Sequence, residues 1–75
     1  MLKLTVHGER RIQERKIARS WIDATIAAPD WTEQDPDPAL TRSFKAIGEY
    51  GGRILRVVHR PERDDIVVVT ATFDR

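Results

Sequence analysis

The sequence predicts an α+β fold in the order β-α-α-β-β-β-β, with two N-terminal helices packed on one face of a small antiparallel β-sheet. Three observations point there. Residues 6–28 contain two segments with apolar residues at helical spacing, the second stopped by Pro29. Residues 41–73 contain three strand-length runs, the last two rich in valine and isoleucine, separated by hairpin-length connections. The 75 residues include no cysteine, so one small core must be closed by packing alone, in a single domain over 1–75.

Each element has its own justification. Leu2, Lys3 and Leu4 read as a short strand, and the Thr5 hydroxyl can cap a helix beginning near Val6. In that helix Gly8, Arg11, Ile12 and Arg15 fall on one arc of roughly 100°. If Ile12 marks the buried side, Arg11 and Arg15 lean toward the protein body and Glu9, Arg10, Gln13, Glu14 and Lys16 form a solvated back. Gly8 costs about 0.5–1 kcal/mol relative to alanine in a helix, a loss that a close backbone approach would explain. Ser20 and Asp23 have the spacing of a capping box, so the second helix is expected over Ser20 to Ala28, burying Trp21, Ile22, Thr25 and Ile26. A brief extended piece at 31–33 then runs into an acidic, proline-broken loop, read as exposed and mobile. Strands follow at 41–49, 53–60 and 66–73, with connections at 50–52 and 61–65. In the last, Val67, Val69, Ala71 and Phe73 are expected to form the apolar face.

Charge is segregated along the chain. Residues 1–19 and 42–63 each carry +4, residues 20–41 carry −5 and residues 64–75 carry −2, which sum to the net +1. Folding that joins the two basic blocks would make a positive patch for an anionic partner; folding the acidic block over them would cancel it. The lack of cysteine fits a reducing compartment, and no run approaches the roughly 20 apolar residues of a membrane span, so a soluble, cytoplasmic protein is expected. A core this small makes stability modest unless the chain forms a homodimer.

The chain has no P-loop, dinucleotide fingerprint, His-Glu-x-x-His or nucleophile elbow. With two histidines and no thiol, neither a metal site nor a cofactor is expected. His7, in the first helical turn, is disfavoured as an imidazolium by the helix dipole and suits a base or acceptor.

His7-Gly8-x-x-Arg11-Ile12-x-x-Arg15-x-Ile17, a second helix ending near Pro29, and the strands around Arg53-Ile54-Leu55 and Val67-Val68-Val69-Thr70 resemble the small RelE/ParE-like proteins. The likeness is narrowest to a branch opening His-Ala-x-x-Arg-Met-x-x-Arg-Gly-Ile. Gly8 stands where that branch has alanine, Lys16 where it has glycine, and Ala18 where a Ser or Thr cap is usual. The resemblance implies a RelE-like fold and, from the characterised relatives, a toxin that cleaves messenger RNA and is held inactive by an antitoxin. Metal-free RNA cleavage needs a base for the 2′-hydroxyl, cations for the phosphate and an acid for the leaving 5′-oxygen. The candidates are His7 and His59 as base and acid, and Arg11, Arg15 and Arg53 as the clamp, with Lys45 or Tyr50 as a substitute donor. The partners this implies are an antitoxin and RNA or the ribosome.

Each residue also has a plain structural reading. His59 can be a partly exposed strand residue, Arg11 and Arg15 can be ion-paired to Asp64, Asp65 or Glu49, and Arg53, Arg56 and Arg60 can be solvated strand ends. Tyr50 and Trp31 can be packing residues. The alternative function is therefore a non-catalytic interaction module on the same scaffold.

Overall fold

The computed structural model describes residues 2–74. Its elements are β1 (Leu2–Leu4), α1 (Val6–Arg15), α2 (Arg19–Ala27), β2 (Trp31–Gln34), β3 (Thr41–Ile47), a 3₁₀ turn (Gly48–Tyr50), β4 (Arg53–Glu62) and β5 (Asp65–Phe73). The strands form one five-stranded sheet in the order β1-β5-β4-β3-β2. The β2 to β5 part is an antiparallel meander, as the connections dictate, but β1 pairs in parallel with β5, Leu2 beside Ile66 and Leu4 beside Val68. Both helices lie on one face. Ile12, Ile17 and Ile22 meet Ile47, Leu55, Val57, Val68 and Ala71 there, forming the core. Among the described residues no helix is long and apolar enough to cross a membrane.

The last strand departs from simple alternation. β4 pairs Val58 with Thr70 but His59 with Val68, so Val69 is an extra residue, a β-bulge that shifts the phase of β5. The expected apolar face of Val67, Val69, Ala71 and Phe73 is therefore wrong in its first half. Val68 and Ala71 sit in the core beneath the helices, whereas Val67 lies outside that cluster, on the opposite face. Regular alternation in the sequence cannot show a one-residue insertion.

The bulge is where α1 docks. β1 leaves the edge of β5 at Leu4, and Thr5 turns into the helix. Its amide donates to the Val68 carbonyl at 3.1 Å, and its hydroxyl donates to the Val69 carbonyl at 3.4 Å while accepting from the Gly8 amide at 2.9 Å. Thr5 thus caps α1 and satisfies the bulge at once. The approach leaves no room for a side chain at Gly8, where a Cβ would lie 2.9 Å from the carbonyl oxygens of both Val68 and Val69. Eight residues on, Lys16 adopts a left-handed conformation (φ 54°), with Lys16 N–H bonded to the Gln13 carbonyl and Ile17 N–H to the Ile12 carbonyl. This closes α1 in a Schellman turn that puts Ile17 against the core beside Ile12.

Three other boundaries differ from expectation. α2 starts at Arg19 with Ala18 at its cap position and no side-chain cap, so the Ser20/Asp23 capping box does not form; the chain leaves the Schellman turn already positioned to begin the helix one residue earlier. β3 stops at Ile47, followed by the 3₁₀ turn, because the Gly52 amide returns to the Ile47 carbonyl. β4 continues through Pro61 and Glu62, paired with Ile66 and Asp65, which reduces the expected five-residue connection to Arg63 and Asp64, with Arg63 left-handed (φ 59°).

Gly8→Ala is expected to lower unfolding free energy by about 1–3 kcal/mol, the range for overpacking, despite the better helix propensity of alanine. Denaturant unfolding checks this; a more stable variant would show that the helix can lift off the bulge carbonyls without cost.

Candidate functional site

The turn Tyr50-Gly51-Gly52 builds one wall of a cleft. Gly51 and Gly52 have φ of 68° and 75°, a conformation that lets the chain reverse between the 3₁₀ turn and β4 so that Tyr50 and Arg53 lie together. The Arg53 guanidinium carbon sits 5.3 Å from the centroids of both the Tyr50 and Phe73 rings, a cation–π arrangement worth about 0.5–1 kcal/mol at an exposed site. Those rings are 4.7 Å apart, and Trp21 closes the cluster at 5.6 Å from Tyr50 and 5.9 Å from Phe73. The Trp21 indole N–H donates to Glu49 at 3.2 Å, which ties α2 to the same turn.

The opposite wall comes from α1. Arg15 Nη1 donates to the Ala71 carbonyl at 2.7 Å on the edge of β5 that β1 has left uncovered. The helix-to-sheet tie anticipated for Arg15 therefore exists, but its partner is a backbone carbonyl and not Asp64, Asp65 or Glu49. Arg15, Tyr50, Arg53, Thr72 and Phe73 together line a cleft of about 250 Å³. One member of each basic block thus reaches a single cavity. The acidic block binds elsewhere, with Asp35 held 2.8 Å from Arg42 and Asp30 3.9 Å from Lys45.

The remaining sequence candidates lie outside this cleft. His7 is exposed two turns before Arg15, about 12 Å along the helix. Arg11 does not face the sheet as expected: its Nε donates to His7 Nε2 at 3.4 Å and its Nη1 lies 3.9 Å from Glu14, both along its own helix. Ile12 is buried, yet Arg11, its neighbour on the arc, follows the helix surface toward solvent. His59 is six residues from Arg53 on β4, roughly 20 Å away. Lys45 donates to the carbonyl of Ala28, the C-cap of α2, at 2.9 Å. The sequence reading missed Phe73, Thr72 and Trp21 as parts of the site, having assigned them to packing or strand alternation. Their one legible signal was position, Tyr50 and Arg53 flanking the double-glycine turn and Phe73 ending the paired strand.

His59 is half-buried on the helix-covered face, its Nε2 2.7 Å from the hydroxyl of the buried Ser43. Burial pushes its pKa below the usual 6.5. The unfolded chain therefore takes up a proton at this residue that the folded chain resists. Its contribution to stability is complete above about pH 6.5 and is lost as pH falls toward the folded value. A lower melting temperature at pH 5.5 than at pH 7.5 is expected, with the difference reduced in His59→Gln. An unchanged difference in that variant would contradict the assignment.

Among the described residues no cluster of three or more His, Asp or Glu side chains is placed to hold a metal ion. No curated protein and no solved structure matches the chain. A family model described as a domain of unknown function, DUF4258, matches residues 4–73. That span runs from the end of β1 to the end of β5 and takes in every residue lining the cleft, and on it the chain belongs to the DUF4258 family.

Proposed function

We propose that the domain binds single-stranded RNA in the Arg15–Arg53 cleft and cleaves it without a metal, as the toxin of a type II toxin–antitoxin pair. The observation carrying this reading is the convergence of two guanidinium groups, one from α1 and one from β4, on a cavity walled by the Tyr50 and Phe73 rings. Guanidinium matches phosphate bidentately, and aromatic faces accept unstacked bases. Further support comes from Lys16, left-handed at the position where the RelE-like branch carries glycine.

In the reaction the 2′-oxygen bonds to phosphorus and the bond from phosphorus to the 5′-oxygen breaks, leaving a 2′,3′-cyclic phosphate and a 5′-hydroxyl. Arg15 and Arg53 offset the charge that builds on the phosphoryl oxygens. Tyr50, the titratable hydroxyl lining the cleft, gives its proton to the leaving oxygen, and solvent takes the 2′-hydroxyl proton. His7 and His59 take no part, since neither lines the cleft.

The absence of both histidines from the cleft favours a second reading, a module that binds RNA or an antitoxin-like partner without cleaving. One assay separates the two: incubation of purified protein with single-stranded RNA in EDTA. Cyclic-phosphate ends are expected, with the rate reduced about 10²-fold or more in Tyr50→Phe, the scale of a lost general acid. Binding should persist in that variant and weaken in Arg53→Ala. Binding without cleavage selects the second reading, and loss of cleavage in His7→Ala would move the chemistry out of this cleft.

A further inference from the structure

The uncovered face of the sheet carries a row of side chains that starts at Thr72 on the edge of β5, around which it meets the cleft on the helix-covered face. Thr72 on β5, a lining residue of the cleft, pairs with Arg56 on β4, Arg56 pairs with Phe44 on β3, and Phe44 pairs with Trp31 on β2. Leu55 and Val57, on either side of Arg56, belong to the helix-covered core, so Arg56 and its row partners project from the opposite face. Strands are spaced by about 4.8 Å, so the row runs roughly 14 Å from the cleft rim to the far edge.

Trp31 at the end of the row is an exposed aromatic held in one orientation. Its ring stacks on Phe44 at 4.9 Å and 4°, and its indole N–H donates to Glu33 at 3.1 Å. Phe44 beneath is 3 % exposed while Trp31 is 42 % exposed, so one ring face is committed to the protein and the other is open. Between this platform and the cleft lies one weakly engaged cation. Arg56 lies 3.8 Å from Asp74, both side chains about one-third exposed, a long pairing worth little in water, and its charge also acts on Asp35 without a hydrogen bond. Arg42, one row away, is bonded at 2.8 Å to Asp35 and is occupied in holding the acidic loop.

We infer that Trp31 is a second base-binding position, joined to the cleft by a phosphate contact at Arg56, so that one RNA strand leaves Arg15 and Arg53, turns around the β5 edge at Thr72 and crosses the open sheet face to stack on Trp31. This rests on the reading of the cleft as an RNA site and extends it to a strand of several nucleotides, in keeping with the about 4 to 16 of other single-strand sites. Asp74 is the carboxylate that the phosphate displaces from Arg56.

The two tryptophans report on the two positions separately, Trp21 in the ring cluster at the cleft and Trp31 on the platform. Their indole N–H signals can be followed by NMR while the full chain is titrated with a uridine dinucleotide or an octauridylate, both 2′-O-methylated so that no cleavage intervenes. The dinucleotide is expected to shift Trp21 alone, and the octamer to shift both. Trp31→Ala should weaken octamer binding about fivefold or more, the scale of one lost base stack, and leave the dinucleotide unaffected. Asp74→Asn should tighten the octamer about two- to fivefold by freeing Arg56, a change that loss of Phe44 cover cannot mimic. An octamer that shifts only Trp21, or binds Trp31→Ala and Asp74→Asn as it binds the parent, overturns the extended track and leaves the cleft reading standing. An octamer that leaves Trp21 unmoved overturns the cleft reading and the track with it.

Discussion

The contact on which this fold turns is made by Thr5 and Gly8 with two carbonyl groups of β5. The extra residue Val69 presents the oxygens of Val68 and Val69 to the start of α1, and Thr5 answers both, one through its amide and one through its hydroxyl. A strand edge with unpaired carbonyls is normally a liability, open to water or to another chain. Here the helix that follows β1 covers it, and the absence of a side chain at Gly8 lets the backbones come that close.

That docking sets the direction of α1 and so the position of its last turn. Arg15 extends the same pattern, supplying a donor to the Ala71 carbonyl two residues beyond the bulge. Because the guanidinium has several donors, one bond to Ala71 does not exhaust them, and Arg15 also lines the cleft, so a structural role and a ligand role are compatible in one side chain. Arg53 reaches the same cavity by a different route, through the double-glycine turn and the faces of Tyr50 and Phe73. The site is thus an assembly of a helix end, a turn and a strand end, each held by a distinct local interaction.

The architecture was largely legible because its determinants are local and periodic. Thr5 as a cap, the two helices, the meander and the reason for a glycine at position 8 all follow from spacing and residue type. The errors share a cause, a dependence on contacts distant in sequence. Nothing in the run Ile66 to Phe73 marks Val69 as a bulge, since the insertion is defined by β4 and exploited by α1. The helical arc turned both Arg11 and Arg15 toward the sheet, which holds for Arg15 alone, because a long side chain at the margin of a buried stripe can follow either the sheet or its own helix. Arg11 found His7 and Glu14, and Arg15 found an edge carbonyl. The aromatic part of the cleft was illegible for the same reason, as Trp21, Tyr50 and Phe73 come from three elements that meet only in the folded chain.

Native-state hydrogen exchange tests the docking contact most directly. If Thr5 and Gly8 lock α1 to the bulge, their amides open only with the sheet, and their exchange free energies equal those of the central amides of β4 and β5. Exchange at Thr5 and Gly8 orders of magnitude faster, with β4 and β5 still protected, would mean that the helix frays from an intact sheet and that the bulge does not organise the fold.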